Sequence, residues 1–192
     1  VVCQKDVLMT KQYAQSRRGE GDGIETALQK LGFSAYSMTS GFCDGGDVLV
    51  AEDLGIVWVG LSKRTDKTGF TWVKRLFEKH AYTVIPVPVT KCLHLMTGVC
   101  YLTGGIALLS EFVDHEARNA IAAHCKKVID VPAKESYAVN VVQVGSVVVM
   151  PGGYELTQEK ISKAGYTVFT VPMSEFEKAD GGATCLSLLV SK

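Results

Sequence analysis

The hydrophobic and polar positions of this chain follow a pattern that recurs along its length. Apolar runs broken by a short turn predict strand hairpins at 1–11, 47–60, 99–109 and 140–150. The segments that follow these hairpins lead into further strands at 31–38, 81–89, 126–132 and 165–173. Strand, turn, strand, helix and strand therefore repeat at about 40–50 residues, a period typical of propellers and arrays.

Two of the predicted helices have one apolar face. The apolar positions, spaced i, i+3, i+4 and i+7, are Ile24, Ala27, Leu28 and Leu31 in the first helix and Phe70, Val73, Leu76 and Phe77 in the second. We expect these helices to lie outside the sheets with that face packed inward. The strand at 147–150 is apolar at every position, which indicates burial on both faces.

The repeats predict a single α/β domain built from strand-strand-helix-strand units. The units span roughly 1–40, 41–90, 91–134 and 135–174, and 175–192 is left as a closing strand. The chain opens inside a strand without an initiator Met, and the strand predicted at 184–190 has no partner hairpin after it. We therefore expect 1–192 to be a partial α/β propeller domain whose first part is missing, with about four blades represented.

Composition and charge narrow the class of partner. The 192 residues include 20 basic and 20 acidic side chains, and the formal net charge is zero. That balance argues against nucleic acid or an anionic membrane, because both select basic patches. The six cysteines form no Cys-x-x-Cys pair, which is typical of a reduced, intracellular protein. His115, His124 and Cys125 lie close in sequence but lack the ligand spacing of a zinc site, so we expect no metal.

Three residues with suitable chemistry begin a hairpin or strand in different repeats. They are Asp44 in Asp-Gly-Gly-Asp, His94 in Leu-His-Leu and Cys185 in Thr-Cys-Leu-Ser. Taken singly, each also fits an ordinary role, as a solvated turn carboxylate, a core histidine or a buried thiol. Equivalent strand starts gather at one end of a propeller axis, so these three side chains are expected to converge. A thiol, an imidazole and a carboxylate on separate loops form the set that activates a cysteine nucleophile.

Two arginines add a way to hold a carboxylate. Arg17 lies in the Ser-Arg-Arg string at 16–18 and Arg64 in the Gly-Leu-Ser-Lys-Arg-Thr string at 60–65. A guanidinium binds a carboxylate through two parallel hydrogen bonds. The alternative for Arg64 is a surface position in a loop that starts a helix.

Several strings together resemble the dimethylarginine dimethylaminohydrolases of the pentein superfamily. They are Asp-Gly-Gly-Asp-Val-Leu at 44–49, Val-Gly-Leu-Ser-Lys-Arg-Thr at 59–65, Leu-His-Leu at 93–95 and the block from 173 through Thr-Cys at 184–185. The resemblance implies a five-bladed α/β propeller of ββαβ repeats. It also implies that Cys185 is the nucleophile, His94 the general acid/base and Asp44 the third catalytic residue. Arg17, Arg64 and Asp47 are the implied substrate-binding residues, the two arginines through the substrate's α-carboxylate.

The implied activity is hydrolysis of Nω-methylated arginines to citrulline and methylamines through a covalent cysteine thiouronium, without a metal or organic cofactor. We expect a cytoplasmic monomer or homodimer that takes a small-molecule substrate and contacts neither nucleic acid nor membrane. A deiminase- or amidinotransferase-like enzyme acting on arginine remains an alternative, as does a non-catalytic pentein binding or regulatory protein. The family's substrate-contacting Glu-Asp pair and covering loop would precede Val1, which fits an N-terminally truncated member.

Overall fold

Residues 1–187 and 189 are described by the computed structural model. They contain four three-stranded sheets, which follow one another along the chain. The sheets are β1 (Val2–Cys3), β2 (Asp6–Met9) and β3 (Ser34–Ser37); β4 (Val48–Ala51), β5 (Ile56–Leu61) and β6 (Thr83–Pro88); β7 (Val99–Leu102), β8 (Ile106–Leu109) and β9 (Lys127–Asp130); and β10 (Val142–Val144), β11 (Val147–Pro151) and β12 (Thr167–Val171).

Each sheet has the same topology. Its first two strands form an antiparallel hairpin, and its third strand lies parallel to the second after a helical crossover. The crossover helices are α1 (Asp22–Lys30), α2 (Lys67–Glu78), α4 (His115–Ala122) and α5 (Glu155–Lys163), and two short helices, α3 (Leu95–Gly98) and α6 (Ser174–Glu177), lie outside the sheets. The predicted order of strand, strand, helix and strand is therefore confirmed in four copies.

The two glycine turns predicted for the third and fourth hairpins are present. Gly104 and Gly105 have φ of 91° and 84°, and Gly145 has φ of 60°. A residue with a Cβ rarely adopts such positive φ values, so glycine is the residue that lets these hairpins close tightly.

Neighbouring sheets are joined by shared apolar cores. One core combines Leu8 of the first sheet with Val57 of the second and Phe77 of α2. A second combines the second and third sheets with α4, and a third combines the third and fourth sheets with α5. The sheets thus pack in chain order, each against the next, so the loops at their ends are held in fixed relation.

Burial of the helices and strands follows the predicted pattern only in part. In α2, Val73 and Phe77 are fully buried, as predicted. In α1, Leu28 is buried but Ile24 and Leu31 are exposed, because this helix packs only on the small core around β3. β12 is also mostly exposed, so burial on both faces does not hold for every strand.

Two local predictions around the candidate residues were wrong. His94 does not begin a hairpin or strand directly; it immediately precedes α3, which leads into β7. The strand predicted at 184–190 begins as a 3-10 helix, Ala183–Leu186, because the Thr184 backbone is bonded to a side-chain amide instead of a neighbouring strand. Residues 188 and 190, in the rest of that predicted strand, lie outside the described residues.

No helix in the described part of the chain is both long and apolar enough to cross a bilayer. Among the same residues, no group of three His, Cys, Asp or Glu side chains is placed to hold a metal ion.

Candidate active site

The carboxylate of Asp44 is the centre of the site. Asp44 has an extended backbone and leads into the 3-10 turn Gly45–Asp47, which delivers the chain to β4. Its backbone N–H donates to Thr65 Oγ1 at 3.2 Å, and its Oδ1 accepts the Tyr13 N–H at 3.4 Å. Only 2% of the residue is exposed. A buried carboxylate requires partners, and Asp44 has them from three directions.

Three predicted site residues meet on one oxygen of this carboxylate. His94 Nε2 lies 3.1 Å from Asp44 Oδ2, Arg17 donates to the same oxygen at 3.2 Å, and Arg64 forms an ion pair with it at 3.7 Å. Burial by itself raises the pKa of Asp44, but the hydrogen bond and charge of His94 and the charge of Arg17 outweigh it and lower that pKa. Asp44 is therefore ionised at neutral pH and acts only as an acceptor, so His94 Nε2 must carry the hydrogen.

A glycine makes room for the His94 ring. A Cβ added to Gly46 would lie 3.0 Å from His94 Cγ and 3.2 Å from its Nδ1. The second glycine of the Asp-Gly-Gly-Asp string thus lets the backbone approach the imidazole closely.

Asp47 does not face the site, contrary to its expected contact with substrate. It is fully buried, and its Oδ2 accepts hydrogen bonds from Ser62 Oγ at 2.7 Å and Thr65 Oγ1 at 2.6 Å. Its Oδ1 accepts the Leu95 N–H at 2.9 Å. Burial raises the pKa of Asp47, and the hydrogen bonds from Thr65 and Ser62 offset this only in part. The carboxylate joins the loop that carries Arg64 to the residue after His94.

The Ser-Lys-Arg-Thr turn is closed by its own serine. Ser62 Oγ accepts the N–H groups of Arg64 at 2.9 Å and Thr65 at 3.2 Å while donating its hydrogen to Asp47. Because both lone pairs of the hydroxyl are used, its hydrogen has one direction available. This closed turn fixes the backbone from which the Arg64 side chain reaches Asp44.

The two arginines differ in how many of their guanidinium N–H groups already have a protein partner. Arg17 donates from Nε and from its second terminal nitrogen to Glu20, with distances of 3.0 to 3.2 Å. For Arg64, the 3.7 Å ion pair to Asp44 is the side-chain contact seen among the described residues. Arg64 therefore has more hydrogen-bonding capacity free for an incoming carboxylate.

Cys185 follows Thr184, which the Asn140 side chain joins to Met96, two residues after His94, and its thiol makes no hydrogen bond to the cluster in the described structure. It is exposed, within the 3-10 helix at the end of the described chain. The pKa of Arg17 is raised, chiefly by its hydrogen bond to Glu20, and the charges of Asp44 and Cys185 add to that rise. The sulfur is therefore within electrostatic reach of the Arg17 guanidinium.

The other five thiols are poorly suited to nucleophilic chemistry. Burial raises the pKa to about 11 for Cys3, Cys92 and Cys125, and to about 12 for Cys43 and Cys100. A thiol reacts as its thiolate, so these five are almost entirely unreactive near neutral pH. Cys185 is the exposed thiol of the six.

Sequence reasoning missed four polar residues that hold the site together. They are Glu20, Ser62, Thr65 and Asn140, which contact Arg17, Asp47 or the Cys185 loop. Asn140 stands two residues before β10, the first strand of the fourth hairpin, and Asp44 and His94 likewise stand ahead of the second and third hairpins. Asn140 therefore shares the sequence position by which Asp44 and His94 were selected.

Comparisons with known proteins agree with the fold. The family model for N,N dimethylarginine dimethylhydrolase, eukaryotic, matches residues 1–190. The chain is 35% identical over 192 residues to N(G),N(G)-dimethylarginine dimethylaminohydrolase of Pseudomonas aeruginosa, covering 98% of this chain and 73% of that protein. The structure of a cysteine-to-serine mutant of the Pseudomonas aeruginosa enzyme complexed with citrulline superposes with a TM-score of 0.87 at 34% identity, over 98% of this chain and 72% of that one.

A more distant neighbour shares the fold. The N-terminal domain of ArgZ, a cyanobacterial arginine dihydrolase, superposes with a TM-score of 0.90 at 24% identity, over 100% of this chain and 72% of that one. The four ββαβ sheets are thus the mixed α/β architecture of pentein structures. Together with the family model over nearly the whole length, these similarities show that the chain belongs to the dimethylarginine dimethylaminohydrolase family of hydrolases.

Proposed function

We propose that the complete gene product hydrolyses Nω-methylated arginines, namely asymmetric dimethylarginine and monomethylarginine, to citrulline and methylamines. The observation that carries this proposal is the convergence of His94, Arg17 and Arg64 on the buried Asp44 carboxylate. The exposed thiol of Cys185 is joined to the segment after His94 through Thr184 and Asn140. It is supported by 35% identity to a protein named for dimethylarginine hydrolysis and by a related structure complexed with citrulline.

Cys185 is the proposed nucleophile. A guanidinium is cationic and resonance-stabilised, so water attacks it slowly, whereas a thiolate is a strong nucleophile. The thiolate sulfur attacks the guanidinium carbon and forms a C–S bond. The tetrahedral adduct then loses dimethylamine as the C–N bond breaks, which leaves a thiouronium cation on Cys185.

His94 is the proposed proton carrier for both halves of the reaction. Its Nε2–H is held by Asp44 Oδ2, so Nδ1 remains to exchange protons with the reacting groups. The imidazolium gives a proton to the departing dimethylamine, and the neutral ring then takes one from the attacking water. Attack of that water and cleavage of the C–S bond release citrulline and regenerate the thiolate. The net reaction consumes one water and yields citrulline and dimethylammonium.

Asp44 stabilises the imidazolium and fixes its orientation. An ionised carboxylate at hydrogen-bond distance favours the charged ring, as in other nucleophile–histidine–carboxylate sets. Arg17 and Arg64 lie on the same oxygen, so the carboxylate already pairs with two guanidinium cations in this arrangement.

Arg64 and Arg17 are proposed to bind the α-carboxylate of the substrate, with Arg64 contributing more because Arg17 is held by Glu20. An arginine that binds the amino-acid end fixes the distance from that end to the sulfur. Asp47, by contrast, is proposed as a positioning residue, because its carboxylate is buried among Ser62, Thr65 and Leu95.

The test is citrulline release from asymmetric dimethylarginine by the complete gene product and its Cys185→Ser variant. We expect the variant to lose at least about 10³-fold in kcat, as nucleophile removal does in comparable enzymes. The matched control is Cys125→Ser, which removes a thiol whose pKa burial raises to about 11 and should leave the rate unchanged. Citrulline release by Cys185→Ser at the wild-type rate would refute the proposal.

The same assay separates the alternatives. Citrulline from unmethylated arginine at a higher kcat/KM than from dimethylarginine identifies an arginine-hydrolysing enzyme. An absence of turnover on both substrates identifies a non-catalytic member. A cytoplasmic location, a monomeric or homodimeric state and a single partial propeller domain stay predictions, each independent of this assay.

A further inference from the structure

One buried side-chain amide joins the loop that follows His94 to the loop that precedes Cys185. Asn140 is 7% exposed and stands two residues before β10. Its Nδ2 donates to the Met96 carbonyl at 3.0 Å and to Thr184 Oγ1 at 2.9 Å. Its Oδ1 accepts the Thr184 backbone N–H at 2.9 Å. Both amide hydrogens and the amide oxygen are thus used.

The two loops are held at points adjacent to the reacting groups. Met96 is two residues after His94, within α3, and Thr184 is the residue before Cys185. α3 is tied at its start as well, where the Leu95 N–H donates to a carboxylate oxygen of Asp47. The Asn140 amide therefore sets where the Cys185 loop lies relative to a His94 segment that is already fixed.

A close approach at Gly182 provides an independent sign that this contact is constrained. A Cβ on Gly182 would lie 2.5 Å from Asn140 Cγ and Oδ1. The backbone of Gly182 has φ of −101°, a value that any residue adopts. Glycine is required there for space against the Asn140 amide and not for backbone conformation.

We infer that Asn140 is a positioning residue, which sets the separation and orientation of the Cys185 sulfur relative to the His94 imidazole. Gly182 leaves the space that this requires. The inference rests on the proposed function, in which both groups act on one guanidinium carbon. Misplacement of reacting groups by about 1 Å can cost about 10²-fold in rate. An amide that only stabilised the fold would affect unfolding but not the chemistry of correctly folded molecules.

The chain contains a matched control for this amide. Gln143 Oε1 accepts the Thr103 N–H at 2.8 Å, and its Nε2 donates to Thr103 Oγ1 at 2.6 Å and to the Gly145 carbonyl at 2.7 Å. As at Asn140, the partners are a backbone N–H, a hydroxyl and a backbone carbonyl, but these bonds are exposed and join β10 to the β7–β8 turn and to the turn of its own hairpin. Gln143→Ala therefore removes an equivalent bracing amide outside the site.

The first measurement is alkylation of Cys185 by two reagents, quantified on its peptide by mass spectrometry. Chloroacetamidine carries a planar amidinium cation like the substrate's guanidinium, whereas iodoacetamide is neutral and reports only thiol reactivity and access. In Asn140→Ala and Gly182→Ala we expect the ratio of the two rate constants to fall at least about tenfold. In Gln143→Ala the ratio should not change. An unfolded chain would also lose this preference, so the ratio is compared under conditions in which circular dichroism shows each variant to be folded.

The second measurement is steady-state turnover of dimethylarginine. Asn140→Ala should lower kcat at least about tenfold while KM stays within about threefold, because the arginines that bind the substrate carboxylate are untouched. Asn140→Asp retains the side-chain volume and the acceptor for Thr184 but loses both donors. Its kcat should therefore lie between those of wild type and Asn140→Ala.

The outcomes separate this inference from the proposed function. An unchanged alkylation ratio in both Asn140→Ala and Gly182→Ala, with only a lower unfolding temperature, would show that Asn140 is a structural brace and overturn the inference. If wild type releases no citrulline but the ratio falls in these variants, the proposed substrate is wrong and the positioning role stands. Should Asn140→Ala fail to fold, Gly182→Ala and Asn140→Asp decide by the same ratio.

Discussion

Replacing Asp47 with alanine provides a quantitative test of how the site is held in place. The substitution removes a fully buried acceptor and leaves three donors without a partner: the hydroxyls of Ser62 and Thr65 and the Leu95 N–H. The Ser62 hydroxyl cannot simply turn away, because its lone pairs already accept two backbone N–H groups. Two of the three donors, the Thr65 hydroxyl and the Leu95 N–H, therefore stay buried and unsatisfied, and the third, the Ser62 hydroxyl, is half-buried.

The expected loss of stability follows from these contacts. Each buried donor left without a partner costs about 1–3 kcal/mol, and removing a buried carboxylate returns part of that cost. We expect Asp47→Ala to lower the free energy of unfolding by about 2–4 kcal/mol. Urea titration followed by tryptophan fluorescence at pH 7 measures this loss, since Trp58 is completely buried in the core between the second and third sheets.

The control is Asp53→Ala. Asp53 is exposed and also accepts two hydrogen bonds, from Tyr101 Oη at 2.7 Å and from the Gly104 N–H at 2.7 Å. Water can replace an exposed acceptor, so we expect a loss below about 1 kcal/mol. If Asp47→Ala were no more destabilising than Asp53→Ala, the argument from buried, direction-fixed donors would be wrong.

The effect of Asp47 also has a predicted pH dependence. Burial raises the pKa of Asp47 above that of the unfolded chain, which is about 3.9. As pH rises between the unfolded and the folded pKa of Asp47, the carboxyl of the unfolded chain loses its proton first. The wild-type protein therefore loses stability over this interval, and the alanine variant does not. The difference in free energy of unfolding between wild type and Asp47→Ala should therefore be larger below pH 4 than at pH 7.

Two further predictions concern the fold around the site. Gly69→Ala in α2 places a Cβ 1.9 Å from the Phe42 carbonyl oxygen and should lower the free energy of unfolding by about 3 kcal/mol or more. In Gly23→Ala in α1 the new Cβ meets no atom within 4 Å, so this variant should be neutral or stabilising. Chemical denaturation compares the two. Asp6, whose pKa is lowered to about 2 chiefly by the hydrogen bond from Lys79, should stabilise the fold above pH 4 and lose that contribution as pH falls toward 2. Asp6→Asn should therefore be destabilised by about 1–3 kcal/mol at pH 7, a deficit that disappears on acidification.

Periodicity predicted the fold of this chain well, because each repeat has the same order of apolar strands, turns and an amphipathic helix. The hairpins turn at Gly104, Gly105 and Gly145, where positive φ selects glycine, and the α2 face from Val73 to Phe77 is buried as its spacing predicts. Periodicity cannot show which surface a neighbour covers. The sequence pattern therefore indicated burial of the apolar positions of α1 and β12, although much of their surface is exposed.

The candidate site was predictable where a residue's type and its place before a hairpin agreed. Asp44 and His94 come together as expected, because both precede strands of adjacent sheets, and the two arginines join them on the same carboxylate oxygen. The role of Asp47 was not predictable from its string, since burial depends on loops that are 15 to 48 residues away in the chain. The position of Asn140 ahead of a hairpin was visible in the sequence, but its bridging contacts, which span 44 residues, were not.

Covalent attachment of substrate to Cys185 is the most direct test of the proposed mechanism. The complete gene product is mixed with asymmetric dimethylarginine, quenched in acid within a single turnover, digested and analysed by mass spectrometry. The account predicts an adduct on the peptide that contains Cys185, with the mass of the substrate less dimethylamine, which appears before citrulline and is absent in Cys185→Ser. Citrulline formed without that adduct, or an adduct on one of the five buried or half-buried cysteines, would contradict it.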